Sequence, residues 1–406
     1  MLTRRLGLIS SVCALIAGPA LAERRSAAAR AVGAQGRHTK EPTETGSPAD
    51  TPLGPVDTVA RWAYIMDFDT GATLLEKQAD EEMPPSSMTK LMTIYIVYSR
   101  LKEGRLKLDD QLPVSEKAWR TQGSKMFVAV GSTVRVEDLI RGVIVQSGND
   151  AAIVLAEGIA GSEEQFADLM NKTAQKLGLT HSFFKNCTGW PDPEHHMSAR
   201  DIATLAAHII RDFPQYYHYD SEKTFRYNNI AQGNRNPMVQ KGTADGLKTG
   251  HTDAGGYGLV ASSKRNGRRL ILVLNGMASM RERAEESERL MDWAFFNFED
   301  VTLYAAGDVI DRVPVWLGAN PTVPLVAGKD LTVTMPRNWR QKASVKISYD
   351  TPLIAPVAKG DTVGKLEVTG QGVPNFTVPL LASEDVPKLG LPGRAMAVLS
   401  KYVTGT

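Results

Sequence analysis

Pro84-Pro85-Ser86-Ser87-Met88-Thr89-Lys90-Leu91-Met92-Thr93 is the stretch on which the reading of this chain turns. Two prolines followed by Ser86 form a helix-start signal, with Ser86 as the candidate N-cap. From Ser86 to Leu101, the residues Met88, Leu91, Met92, Tyr95, Val97 and Tyr98 spread around most of a helical circumference, which predicts a helix buried on most sides. Ser87 then falls in the first turn among unpaired backbone N–H groups. Lys90, three residues on, shares its face. An alcohol is a poor nucleophile until a neighbouring base takes its proton. Lysine is such a base only when neutral, and lowering its pKa from near 10.4 to about 7 costs roughly 4 kcal/mol. Burial and a second cation are the available causes.

The pair decides nothing alone, because serine and lysine meet on many helices. Two further patterns follow it. Ser147-Gly148-Asn149 lies at the junction of two helical patterns, where Gly148 suits a tight turn that points Ser147 and Asn149 into a cleft. Lys248-Thr249-Gly250 precedes a strand pattern. Gly250 leaves room for a bound substrate against the strand backbone, and Lys248, Thr249 and Thr252 offer donors to a carboxylate. Lys248 is the candidate second cation beside Lys90, and Asn149 the candidate to orient it. The ordered triple is the signature of penicillin-binding proteins and class A β-lactamases.

The wider context is more specific. Gln146-Ser147-Gly148-Asn149-Asp150-Ala151 and Asp245-Gly246-Leu247-Lys248-Thr249-Gly250-His251-Thr252, together with the opening stretch, resemble the low-molecular-mass penicillin-binding proteins that are D-alanyl-D-alanine carboxypeptidases, peptidase family S11. The similarity runs from about 56 to 300 and continues more weakly to Ala355-Pro356-Val357-Ala358-Lys359-Gly360. The resemblance implies residue roles. Ser87 would attack the carbonyl between the two D-alanines, with Lys90 as its base. Ser147 would relay a proton to the leaving amine, supported by Asn149 and Lys248. The N–H groups of Ser87 and His251 would form an oxyanion hole, where one donor is typically worth about 3 kcal/mol. Thr249, Thr252 and Arg235 would hold the terminal carboxylate beside Gly250. It further implies no metal and no organic cofactor. The expected partners are the peptidoglycan stem peptide and β-lactam antibiotics, and the expected setting is maintenance of the cell wall and cell shape.

Around the motifs, Trp62, Tyr64, Met66 and Phe68 alternate with smaller or polar residues, and Asp69-Thr70-Gly71 turns the chain into Ala72 to Leu75. Helical patterns cover 136–145, 150–159, 163–177 and 199–211. Arg265-Asn266-Gly267 joins two apolar runs as a hairpin, and 281–298 reads as an amphipathic helix. Strands framing a helical block predict an α+β catalytic domain over 56–300, helices packed on an antiparallel sheet. Short alternating segments then predict a small all-β domain over 301–385. The tail, 386–406, carries Met396, Leu399, Tyr402 and Val403 at helical spacing with Arg394 and Lys401, the pattern of an interfacial anchor at a membrane surface or of a docked terminal helix.

Arg4 and Arg5, the apolar run from Leu6 to Ile16 and Ala20-Leu21-Ala22 read as a signal peptide over 1–22. The expected location is therefore outside the cytoplasm, in the periplasm or on the outer face of the cytoplasmic membrane. Residues 23–55, poor in large apolar side chains, read as a flexible leader. Removal of Cys13 with the signal leaves Cys187 unpaired and read as a packed residue. A net charge of +2 without a basic patch argues against a nucleic-acid partner.

Other readings remain open on sequence. A D-alanyl endopeptidase fits the same fold. A β-lactamase would require fast deacylation, commonly through a glutamate-positioned water, and Glu194 is the nearest candidate although its Pro-Asp-Pro-Glu-His-His setting does not resemble that family's loop. His195, His196 and Asp192 raise a metal site, against which adjacent histidines point apart and favour an exposed loop. A non-catalytic cell-wall binding module has no need of the nucleophile and base.

Overall fold

The computed structural model describes residues 47–370 and 375–404. The expected signal peptide and the first part of the leader lie outside the described residues. The leader's last residues are ordered: Ala49 pairs with Val56 and Asp50 with Glu76. Ala49 is fully buried, so a single small apolar side chain finds a place in the core although its neighbours are polar.

The part expected to be catalytic is built on a five-stranded antiparallel sheet in the spatial order Thr73–Lys77, Trp62–Asp67, Arg268–Met277, Gly256–Arg265, Gly246–Thr252. Strand side chains alternate between faces, and here both faces are covered. Trp62, Tyr64, Val260, Ile271 and Val273 face the large helical core. Ala63, Ile65, Leu259, Ala261, Leu270, Leu272 and Leu274 face a smaller core closed by Leu290, Met291 and Ala294 of the helix Met280–Asn297. Burial on both sides explains why these strands read as apolar runs. On the large-core side lie the helices Lys90–Lys102, Val136–Ile144, Asn149–Ala160, Glu163–Leu177 and Ala199–Asp212.

The helical reading from Ser86 needs one correction. Residues Ser86–Thr89 form a 3-10 turn and the α-helix begins at Lys90. Ser86 is not an N-cap: its φ of 51° turns the side chain away, and its hydroxyl bonds Thr252 at 3.0 Å.

The all-β unit starts immediately after the long helix. Phe298–Tyr304 pairs with Leu331–Pro336, and a six-stranded sheet runs Ala343–Tyr349, Thr362–Gly370, Phe376–Ala382, Thr322–Ala327, Val309–Trp316, Leu353–Ile354. The two units are joined by a buried polar contact. Arg268 Nε donates to Asp67 (2.9 Å) on one side and to Asp300 (3.1 Å) on the other. Thr70 meets Thr334 at 2.6 Å, and Thr334 donates to Asp300 at 2.8 Å. Leu391–Thr404 forms a terminal helix with Leu391, Met396 and Leu399 exposed. Among the described residues no helix is long and apolar enough to cross a membrane.

Candidate active site

Three segments from different parts of the chain converge at the edge of the sheet: the 3-10 turn, the junction before the helix Asn149–Ala160, and the strand Gly246–Thr252. Gly250 is what lets the strand reach the turn. A Cβ there would lie 3.0 Å from Pro85 O and 3.0 Å from Ser86 Cβ, so its missing side chain faces the serine turn. The junction is formed differently from expectation. Ser147, with φ 57°, makes the left-handed turn, while Gly148 is at φ −57° and is small because a Cβ would crowd Asp150 Oδ1 at 2.8 Å.

Lys90 is fully buried, and its Nζ lies 2.9 Å from Ser87 Oγ, 2.7 Å from Asn149 Oδ1 and 2.6 Å from Thr188 O. Burial lowers its pKa to about 7, the Arg235 guanidinium acting in the same direction against Cys187, Asp150 and Glu163. Lys248 is also buried and its Nζ donates to Ser147 Oγ at 2.9 Å and to Thr249 O at 3.1 Å. Its pKa is pushed well down by burial first, then by the charges of Lys90, Arg235 and Arg283, with Asp220 opposing. Two depressed lysines thus each hold a serine hydroxyl, and Ser87 is the less buried of the two.

Asn149 is fixed at its other end, its Nδ2 donating to Gln122 O at 2.7 Å. Arg235 bonds Ser124 Oγ and lies close enough to both lysines to depress them, although its own side chain is exposed. Thr249 is buried on the strand, and His251 is exposed with its ring 4.0 Å from that of Tyr257. Thr252 also holds the serine turn. Its hydroxyl meets Ser86 Oγ and accepts from Gly255 N at 3.0 Å, so it braces the serine turn.

The structure also settles smaller matters around the site. His195 is buried; its Nδ1 accepts from Lys185 N at 3.3 Å while its Nε2 reaches Thr89 Oγ1 at 2.9 Å. Burial pushes its pKa down to about 4, so it is a neutral cross-link, where the sequence suggested an exposed loop. Glu194 is engaged with Lys185 at 2.7 Å. Cys187 is buried, and burial with Glu163 beside it raises the thiol, which suits packing and not nucleophilic attack. Sequence reasoning missed Thr188, whose contribution is a backbone carbonyl, and Gln122, for the same reason. It quoted Asp150 without giving it a part.

Comparison with known proteins points to one family. Residues 48–278 match the family described as D-alanyl-D-alanine carboxypeptidase, and residues 298–388 match the C-terminal domain of penicillin-binding protein 5. The chain is similar to the D-alanyl-D-alanine carboxypeptidase DacC of Escherichia coli, 41% identical over 346 residues, covering 82% of this chain and 86% of that protein. It is similar to DacA of Haemophilus influenzae, 39% identical over 360 residues, covering 86% and 91%. In structure it is similar to penicillin-binding protein 5 of Haemophilus influenzae, with a TM-score of 0.73 at 38% identity over 82% of this chain and 99% of that one. With a serine and a buried lysine joined at one edge of an α+β domain and a β unit behind it, the chain belongs to the D-alanyl-D-alanine carboxypeptidase family, peptidase family S11.

Proposed function

We propose that the protein removes the terminal D-alanine of peptidoglycan pentapeptides through an acyl-enzyme on Ser87, and that β-lactams acylate the same serine. The observation that carries this reading is the hydrogen-bond count at Lys90. A neutral amine has two N–H donors and one lone pair. Asn149 Oδ1 and Thr188 O can only accept, and they take both donors. The lone pair is left for Ser87, whose hydroxyl then donates to Lys90. That is the alignment a general base needs, and a pKa of about 7 makes the neutral form available at neutral pH.

Attack by Ser87 Oγ on the carbonyl between the two D-alanines forms a tetrahedral oxyanion as Lys90 takes the proton. The amides of Ser87 and His251 are assigned to that oxyanion. Collapse breaks the C–N bond, and the leaving amine takes a proton through Ser147, whose Oγ is held by Lys248. Water then hydrolyses the ester. Arg235, Thr249 and Thr252 hold the terminal carboxylate, with Gly250 lying beside it, and Thr252 keeps the turn in place as well. A β-lactam enters the same path because it presents a strained amide near a carboxylate. No metal or organic cofactor takes part in this scheme.

The test is release of D-alanine from a peptide ending in L-Lys-D-Ala-D-Ala by the mature protein, with penicillin as competitor and the adduct mapped by peptide mass. Release, its block by penicillin and an adduct on the Ser87 peptide are expected. Cleavage of D-alanyl crosslinks without release of the terminal residue would point to an endopeptidase, and rapid turnover of penicillin to a β-lactamase.

We also propose that the protein is exported and acts outside the cytoplasmic membrane, with its terminal helix on the membrane surface. Exposed Leu391, Met396 and Leu399 support this placement. Deletion of residues 391–406, which spares the buried Val386 and its pairing with Val357, is expected to move the protein from the membrane fraction to the soluble one with kcat on the peptide unchanged. Equal partition of both forms would remove the anchor.

A further inference from the structure

One carboxylate beside the site has no part in the scheme above. Asp150 follows the Ser-Gly-Asn motif and is fully buried. Among the described residues its partners are backbone amides. Oδ1 accepts from Met126 N at 2.9 Å and Ala151 N at 2.9 Å, and Oδ2 from Phe127 N at 2.8 Å and Val128 N at 3.2 Å. Three of these donors belong to residues 126–128, in a segment without regular secondary structure. A carboxylate that accepts several N–H bonds is a strong local organiser, because each bond is charge-assisted and each amide would otherwise be buried without a partner.

The organised segment touches the chemistry at three points. Gln122 O accepts from Asn149 Nδ2 at 2.7 Å, Ser124 O accepts from Asn149 N at 2.7 Å, and Ser124 Oγ meets Arg235. On its far side Asn228 Nδ2 donates to Phe127 O and Gln232 Nε2 to Lys125 O, each at 2.9 Å, so the hairpin Thr224–Tyr227 to Ile230–Gly233 holds the same strap. Phe127 takes a φ of 69° within it, a conformation that costs a phenylalanine energy and persists where the surroundings over-determine it. The Asn149 carboxamide in turn fixes Lys90.

We infer that Asp150 is a positioning residue for catalysis: by binding the amides of residues 126–128 it sets the strap 122–128, which locks Asn149 and, through it, Lys90 against Ser87. This rests on the function proposed above. Glycine at 148 belongs to the same device, since it leaves the space through which the Asp150 carboxylate folds back toward the strap.

Asp150→Asn is the informative variant. A carboxamide has one acceptor oxygen and turns two donors toward amides that are themselves donors, so about half of the amide bonds lose their acceptor. Activity is measured per penicillin-titratable site, so that unfolded protein does not count. The expected result is a kcat at least about 30-fold below the parent with KM within 3-fold, and a matching fall in the rate of penicillin acylation, within the usual range for a misplaced catalytic group. The acid limb of kcat/KM reports Lys90 among Cys187, Glu163, Arg235, Lys248 and Asp150. It should move to lower pH, because the lost carboxylate charge is one of those that hold the Lys90 pKa up. Leu155→Ala, a truncation of a fully buried side chain on the same helix, serves as the comparison: it should lower Tm and leave both the per-site kcat and the limb unchanged. Should Asp150→Asn fail to fold, Gly148→Ala disturbs the same contact from the other side, its added Cβ meeting Asp150 Oδ1 at 2.8 Å and Met126 N at 3.2 Å, and the same fall in kcat is expected. A per-site kcat within 3-fold of the parent in the variant that folds overturns the inference alone. A parent that neither releases D-alanine nor takes up penicillin overturns the proposed function and this inference with it.

Discussion

Ser87→Ala will lose D-alanine release by at least about 10⁴-fold, the scale seen when an activated serine nucleophile is removed, and will form no covalent adduct with penicillin that survives denaturation. The substitution deletes a single oxygen. That oxygen sits on a partly exposed residue of the 3-10 turn, and among the described contacts its partner is Lys90. The turn itself is held by other groups, Ser86 with Thr252 and Met88 N with Pro85 O, so the fold has no need of the hydroxyl. Tm should therefore stay within a few degrees of the parent, and reversible binding of penicillin should survive. A stable adduct on the Ser87→Ala variant, found by intact mass, would mean that the nucleophile is elsewhere.

Lys90→Met will also cost about 10⁴-fold or more in kcat/KM, since both the base and the charge that follows proton transfer disappear. Its effect on stability has a distinctive pH dependence. In the unfolded chain a lysine binds its proton up to pH 10.4, whereas Lys90 in the folded protein releases it near 7. Between these values the unfolded state holds the extra proton, so this group makes the parent more stable as pH rises, by about 1.4 kcal/mol per pH unit. Below 7 both states are protonated and the cost of burying the cation is fully present. The methionine variant lacks this slope. Unfolding by urea at pH 7 and pH 10 should show the parent gaining up to about 4 kcal/mol relative to the variant across that interval. A constant difference between the two proteins would show that Lys90 keeps an ordinary pKa in the folded state.

The helices and the central strands were legible in the sequence because their periodicity is strong. The strands Thr322–Ala327 and Phe376–Ala382 were not, because each is a mostly apolar run broken by a proline, Pro324 and Pro379, without a regular polar alternation to mark a half-buried strand. Thr322–Ala327 is nevertheless interior to its sheet, and the Pro324 carbonyl still accepts from Ser383 N. Phe298–Tyr304 was invisible for another reason. It follows the helix Met280–Asn297 with no glycine or proline between them, so no punctuation marks the change. At the site, the side chains that carry chemical identity could be read from their motifs. Thr188 and Gln122 act through carbonyls that every residue possesses, and Ser86 exchanges its expected capping duty for a bond to Thr252, which only the approach of strand to turn creates.

The contact of Arg268 with Asp67 and Asp300 bears on how the enzyme would search its substrate. Two bodies linked by a bare chain would swivel and sample a volume. Here a guanidinium, two carboxylates and the Thr70–Thr334 pair clamp one body to the other, and Asp67 is fully shielded from water. Under the membrane placement proposed above, the β unit would work as a ruler. A strand of its length reaches roughly 20–30 Å at about 3.3 Å per residue. With the terminal helix resting on a surface, the cleft would be presented at a set altitude above it, and only those stem peptides that hang within one thin layer of the wall would come within reach of Ser87.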